Sequence, residues 1–131
     1  MNKEIIMNLY EIQPSQLYVN SMKLQKVLSW FKPEDINSYE AIPIKKLNNK
    51  IIFTDGHTRA YAAYLNGINE IKVYWDEDDL DWDAYQICVD WCINENINSI
   101  VDLEKRIISD EEYKVLWLQK CKVMHEELEN K

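Results

Sequence analysis

Apolar positions change period several times along the chain, and each change marks a boundary between elements. Asn8–Ile12 reads as a first strand, closed by a turn at Gln13-Pro14-Ser15, with Leu17 and Tyr18 tucked beneath it. Ser21 is placed to cap a helix, because Leu24, Val27, Leu28 and Phe31 then recur at helical spacing. Lys32-Pro33 stops that helix, since proline cannot continue one. After a loop through Asn37, the runs Ile42–Leu47 and Lys50–Thr54 flank Asn48-Asn49 and predict a hairpin. Thr58–Asn66 is rich in helix formers, with Ala60, Ala63 and Tyr64 along one face, and Asn66-Gly67 is a stop signal. Ile71–Trp75 returns to strand character.

An acidic run, Asp76-Glu77-Asp78-Asp79, marks a boundary, and the pattern beyond it is helical. Trp82, Tyr85, Val89, Cys92 and Ile93 form one stripe, with Ile87 and Trp91 on other sides, which predicts a broadly buried helix. Ser99-x-x-Asp102 is a second helix start, before Leu103 and Ile107. Ser109-x-x-Glu112 is a capping box in sequence. It opens a last helix with Tyr113, Leu116, Trp117 and Met124 inward, fraying over Glu126–Lys131. The fold class expected is α+β: a small mixed sheet with helices over residues 1–75, then an acidic helical subdomain over residues 76–131, packed on it. No internal repeat or low-complexity linker interrupts this plan.

Composition sharpens the picture in three ways. Apolar residues make up 47% of the chain, enough for a packed core and too many for wholesale disorder. No apolar run approaches the roughly 20 residues that cross a bilayer. The opening MNKEIIMNLYEI has an early acid and no small-residue cleavage site, so a cytoplasmic protein is the expectation. The three cysteines are odd in number and fall in helical patterns, which suits a reducing compartment. Charge is uneven: residues 1–75 net +2 and residues 76–131 net −10. An acidic half repels a phosphate backbone, so nucleic acid is not an expected partner. A small phosphorylated ligand, which needs only a few aimed donors, is compatible with this balance.

The chemistry concentrates at Thr54-Asp55-Gly56-His57-Thr58-Arg59, where an apolar strand enters a polar turn that starts a helix. Helix N-termini present unpaired N–H groups and partial positive charge. Gly56 lets backbone approach a ligand closely. His57 and Thr58 add donors, and Arg59 can clamp an oxyanion through paired hydrogen bonds. Together they describe an anion site suited to phosphate. The competing reading makes Asp55 an N-cap and Arg59 a surface ion pair. Four polar residues held between two apolar runs favour the functional one.

This block, followed by Ala60–Leu65, Asn66-Gly67 and Ile71–Tyr74, resembles the Asp-Gly-His-His-Arg block of the ParB/sulfiredoxin superfamily, that is, of ParB-like N-terminal domains. Ile12-Gln13-Pro14-Ser15-Gln16-Leu17 resembles the segment that opens them, and the likeness spans roughly residues 8–75. That superfamily includes CTP-binding partition proteins, sulfiredoxins, ADP-dependent free serine kinases and proteins described as nucleases. The resemblance implies phosphate contacts from Gly56, His57, Thr58 and Arg59, a nucleotide with Mg²⁺ as the candidate cofactor, and phosphoryl transfer or hydrolysis as the reaction class. Asp55 and His57 would then be the acid/base candidates. Sulfiredoxin chemistry is excluded by His57 standing where those enzymes carry a nucleophilic cysteine. Thr58 replaces the second histidine of the kinase-like pattern, and Leu17–Ser21 lacks the glutamate base of those kinases. The basic DNA-reading module of partition proteins is also missing.

Other clusters carry weaker signals. Cys88 and Cys92 are spaced four apart on one helix, as are Cys121 and His125 on another, a set with zinc-compatible chemistry if the helices pack antiparallel. Core packing of small thiols is the simpler account. Asp76, Glu77, Asp78, Asp79, Asp81 and Asp83 could hold Mg²⁺ beside a nucleotide, although such runs are usually solvated. Of Trp30, Trp75, Trp82, Trp91 and Trp117, only Trp75 sits where a nucleobase platform would be useful. The function expected is binding of a nucleotide or related phosphorylated molecule at residues 55–59. The alternatives are a non-catalytic interaction protein whose acidic half binds a basic partner, and a DNA-associated ParB-like factor.

Overall fold

The computed structural model describes residues 3–32, 34–35 and 37–130. Asn48 and Asn49 both take positive φ (49° and 67°), the left-handed pair that a tight hairpin turn demands and that asparagine tolerates. They join β3 (Ile42–Leu47) to β4 (Lys50–Phe53), as the sequence predicts. β1 (Glu4–Asn8) and β5 (Glu70–Trp75) complete a four-stranded sheet of order β1-β5-β3-β4. β5 runs parallel to β3, and the other two pairings are antiparallel, so the sheet is mixed and the fold is α+β.

The first strand lies earlier than Asn8–Ile12. The Asn8 side chain accepts a hydrogen bond from the Tyr10 N–H (2.8 Å) and folds Leu9–Glu11 into a 3₁₀ turn, so pairing with β5 ends at Asn8. Ile12 and Gln13 still run beside β4. The Gln13 N–H donates to the Ile51 carbonyl (2.8 Å), and the Phe53 N–H donates to the Gln13 carbonyl (3.0 Å).

Helix α1 (Ser21–Trp30) is capped by Asn20 rather than Ser21, through its side-chain oxygen and the amides of Met22 and Lys23 (2.9 and 3.3 Å). Leu24 and Phe31 go inward, Val27 is half-buried, and Leu28 is exposed at the margin of that face. Pro33, the expected stop, lies outside the described residues. α2 (His57–Leu65) buries Ala60, Tyr61, Ala62 and Ala63. Its small alanines let it lie close to α1, to β2 (Val19–Asn20) and to the 3₁₀ turn Ile100–Leu103. Gly67 ends it at φ 76°.

The acidic half is not wholly helical. α3 (Trp82–Asn94) leads to the 3₁₀ turn and then to β6 (Ile107–Ile108), which pairs in parallel with β2. A partner almost ninety residues away leaves no local signal. α4 (Asp110–Tyr113), a π-helical stretch (Lys114–Leu118) and α5 (Gln119–Glu129) then run on as one helix. The π turn shifts the phase of the inward face. Tyr113, Trp117 and Met124 are buried as expected, but Leu116 is left exposed. Glu126–Glu129 stay helical rather than fraying, with Leu128 packed against the core; Lys131 lies outside the described residues. The buried cluster is continuous across residue 76, running from Ile42, Phe53 and Tyr61 to Cys92, Leu103 and Trp117. No helix among the described residues is long and apolar enough to cross a membrane.

Candidate functional site

β4 ends at Phe53, and Phe53 and Thr54 are held from three directions before α2 begins. The Ser15 hydroxyl donates to the Phe53 carbonyl (2.7 Å). The Thr54 hydroxyl donates to Asp76 (3.0 Å), and the Tyr85 hydroxyl of α3 donates to the Thr54 carbonyl (2.9 Å). The turn is therefore held by the segment around Ser15, by the residue after β5 and by a helix of the acidic half.

Gly56 is the N-cap of α2, at φ 75°, ψ 21°. Only glycine holds that left-handed conformation without penalty, and its lack of a side chain matters as well. A Cβ built there would stand 2.8 Å from Ile42 Cγ2 and 3.0 Å from Arg59 Nη2. No side chain caps this helix. The Asp55 carboxylate instead accepts from the adjacent Gly56 N–H (2.8 Å), so Asp55 is not the cap of the competing reading. The first amides of α2 thus keep their capacity to bind an anion.

Arg59 lies across this opening. Its Nη1 donates to the Glu40 carbonyl (2.9 Å), and among the described residues it pairs with no carboxylate. A cleft opens on each side of it. One, of about 400 Å³, is lined by Gly56, His57, Thr58 and Arg59 together with Lys23, Lys26 and Trp30 of α1 and Tyr113. The other, of about 520 Å³, includes Tyr39, Lys72 and Tyr74. Lys23, Lys26 and Trp30 were not among the residues singled out as a site, yet their spacing of three and four puts them on one helix face. Trp30 is 45% exposed and lines the cleft beside the turn, whereas Trp75, 40% exposed, lines neither of these clefts.

His57 differs from a solvent-facing acid/base. It is 4% exposed and packs edge-on against Phe53, with ring centroids 5.4 Å apart. Its Nε2 accepts from the Ser15 N–H (3.0 Å). Burial lowers its pKa to about 4, against a smaller opposing pull from the Asp55 charge. The imidazole is therefore neutral near pH 7, with its proton on Nδ1. That buried nitrogen has no hydrogen-bond partner among the described residues. The proton-accepting nitrogen is already occupied, and of the two acid/base candidates only Asp55 is exposed.

A third cleft, of about 190 Å³, lies between the turn and the acidic half and is lined by Asp55, His57, Tyr85, Cys88, Cys121 and His125, among others. Cys92 is fully buried away from it. The four residues of the zinc reading are thus divided, and among the described residues no group of three or more His, Cys, Asp or Glu is placed to hold a metal ion. The acidic run is also put to other uses. Asp76 holds Thr54 and accepts from the Asp78 N–H, and Asp81 caps α3 through the Ala84 N–H.

Among solved structures, the chain is similar to protein Atu1540 from Agrobacterium tumefaciens, with a TM-score of 0.52 and 11% identity. The match covers 84% of this chain and 63% of that one, so the chain spans less than two thirds of that protein. A likeness at this identity concerns the fold alone. No protein-family model and no curated protein sequence matches the chain.

Proposed function

We propose that the chain is a ParB/sulfiredoxin-like protein that binds a nucleotide or another phosphorylated small molecule at Gly56–Arg59. One observation carries this reading: an uncapped helix start, crossed by a guanidinium that no acid among the described residues neutralises, opens onto a cleft with two further cations, Lys23 and Lys26. The phosphate sits against the first amides of α2, where partial positive charge and free N–H groups converge. Arg59 grips it from one side and Thr58 donates its hydroxyl. Trp30 offers an apolar wall for the organic part of the ligand. His57, kept neutral, stiffens the turn and holds an Nδ1–H that no described residue pairs with. With a single carboxylate at hand, Asp55, a Mg²⁺ ion would depend on the phosphates for most of its ligands, as this cation commonly does. Where chemistry follows binding, it is phosphoryl transfer or hydrolysis, with Asp55 as the proton acceptor.

Thermal unfolding with ADP, ATP, CTP and inorganic pyrophosphate, each with Mg²⁺, tests the reading. At least one should raise the melting temperature, and the shift should vanish in Arg59→Ala. A Lys23→Ala/Lys26→Ala double variant should weaken binding roughly tenfold or more, as expected when charge-assisted contacts worth ~1.5–3 kcal/mol are lost. Arg59→Ala with undiminished affinity overturns the proposal. Absence of any shift favours the rival, a protein-binding role for the acidic half. One feature supports that rival: Val115, Leu118 and Val123 are exposed on the last helix.

A further inference from the structure

The third cleft contains two thiols that the phosphate reading does not use. Cys88 comes from α3 and is 8% exposed; Cys121 comes from α5 and is half-buried. The two helices pack on each other, and both thiols line the same hollow. All three cysteines are free.

We propose that Cys88 and Cys121 form a redox-active dithiol site, which hydroperoxides oxidise to an intramolecular disulfide joining α3 to α5 beside the DGHTR turn. Cys121 is the attacking thiol, because it is the more accessible of the two within the cleft. The neighbouring Cys88 thiol holds Cys121 below the usual thiol value; burial opposes this and Lys120 adds to it. The Cys121 thiol beside it, with burial, pushes Cys88 up, so its proton must leave as its sulfur attacks. Cys92 does not line the cleft, and burial drives it up to about 12 against a smaller opposing pull from Arg106, so it stays inert.

The chemistry balances in two steps. The Cys121 thiolate attacks one oxygen of the hydroperoxide and breaks the O–O bond. This gives a sulfenic acid and, after protonation of the leaving oxygen, water or an alcohol. The Cys88 sulfur then attacks the sulfenyl sulfur. The S–O bond breaks, the Cys88 proton leaves with the hydroxide as water, and the disulfide forms. Two thiols are oxidised by two electrons, and the hydroperoxide is reduced by the same two. A dithiol reductant reverses the change. The proposal stands apart from the phosphate reading: it requires only the two cysteines, although His57 and Asp55 share the cleft wall and would feel the new bond.

The test treats the full chain with hydrogen peroxide, alkylates it under denaturing conditions and maps it by mass spectrometry. Before alkylation the expected result is a loss of about 2 Da, the two hydrogens of disulfide formation. A Cys88–Cys121 cross-linked peptide should appear, Cys92 should alkylate, and dithiothreitol should restore the original mass. In Cys88→Ser the cross-link should disappear and Cys121 should stop at a sulfenic acid that dimedone traps. Cys92→Ser should still cross-link. Oxygen addition at Cys121 without a cross-link in the wild type overturns the proposal. So does an unmodified chain, a bond involving Cys92, or a bond between two molecules.

Discussion

Acidification should unfold this protein through His57 before it exhausts the carboxylates. The folded pKa is about 4 against an ordinary 6.5, with burial as the principal cause and the Asp55 charge a partial offset. Between those two values the unfolded chain binds a proton on this ring and the folded chain does not, so stability falls as pH falls. The penalty is absent well above pH 6.5 and complete below pH 4. At ~1.36 kcal/mol per pH unit, this one ring costs about 3 kcal/mol by pH 4, a large share of a typical domain's stability. Urea unfolding at several values from pH 7 to pH 4 measures it, with His57→Gln as the comparison. Glutamine can still accept from the Ser15 N–H but does not titrate. The variant should start roughly 1 kcal/mol weaker at pH 7, from imperfect packing, and then lose less on acidification, so that the two curves converge or cross. Carboxylate contributions are common to both proteins and cancel. Equal slopes would refute the reasoning. So would an NMR titration, with His125 as the only other histidine, in which the His57 ring protonates near its ordinary value.

The two glycines offer a paired test. Both Gly56 and Gly67 have φ near 75°, but a Cβ at Gly67 meets open space, whereas one at Gly56 runs into Ile42 and Arg59. Gly67→Ala should cost about 1 kcal/mol from backbone strain alone, and Gly56→Ala roughly 2–3 kcal/mol once overpacking is added, both read from urea midpoints. Gly56→Ala should also lower affinity for any ligand whose binding depends on Arg59. Tyr85→Phe removes the hydrogen bond to the Thr54 carbonyl and should cost about 1 kcal/mol, read in the same way. A neutral result there would mean that α3 does not hold the turn.

Much of this was legible locally, because local interactions produce it. The hairpin at Asn48-Asn49, the helix stop at Asn66-Gly67 and the strand–turn–helix around Asp55-Gly56 each depend on what one residue's backbone tolerates or what a short apolar run must bury. The misplaced first strand was legible in principle, since Asn8 is a turn-forming residue at the point where pairing stops. The outward placement of Leu116 was not, because the π turn before α5 shifts phase without a clear sequence signal.

What the sequence alone determined is the set of donors: Gly56, His57, Thr58 and Arg59 are consecutive, so any fold that starts a helix there brings them together. What only the tertiary structure decided is their state. Burial against Phe53 and a hydrogen bond from Ser15, forty-two residues away, make His57 a neutral, occupied ring rather than a free base. The Glu40 carbonyl, not an acid, positions Arg59. Packing of α1 beside α2 supplies Lys23, Lys26 and Trp30, and packing of α3 against α5 brings two thiols to one cleft. Protonation, accessibility and partnership depend on which distant groups remove water from a side chain, and no local pattern of residues records that.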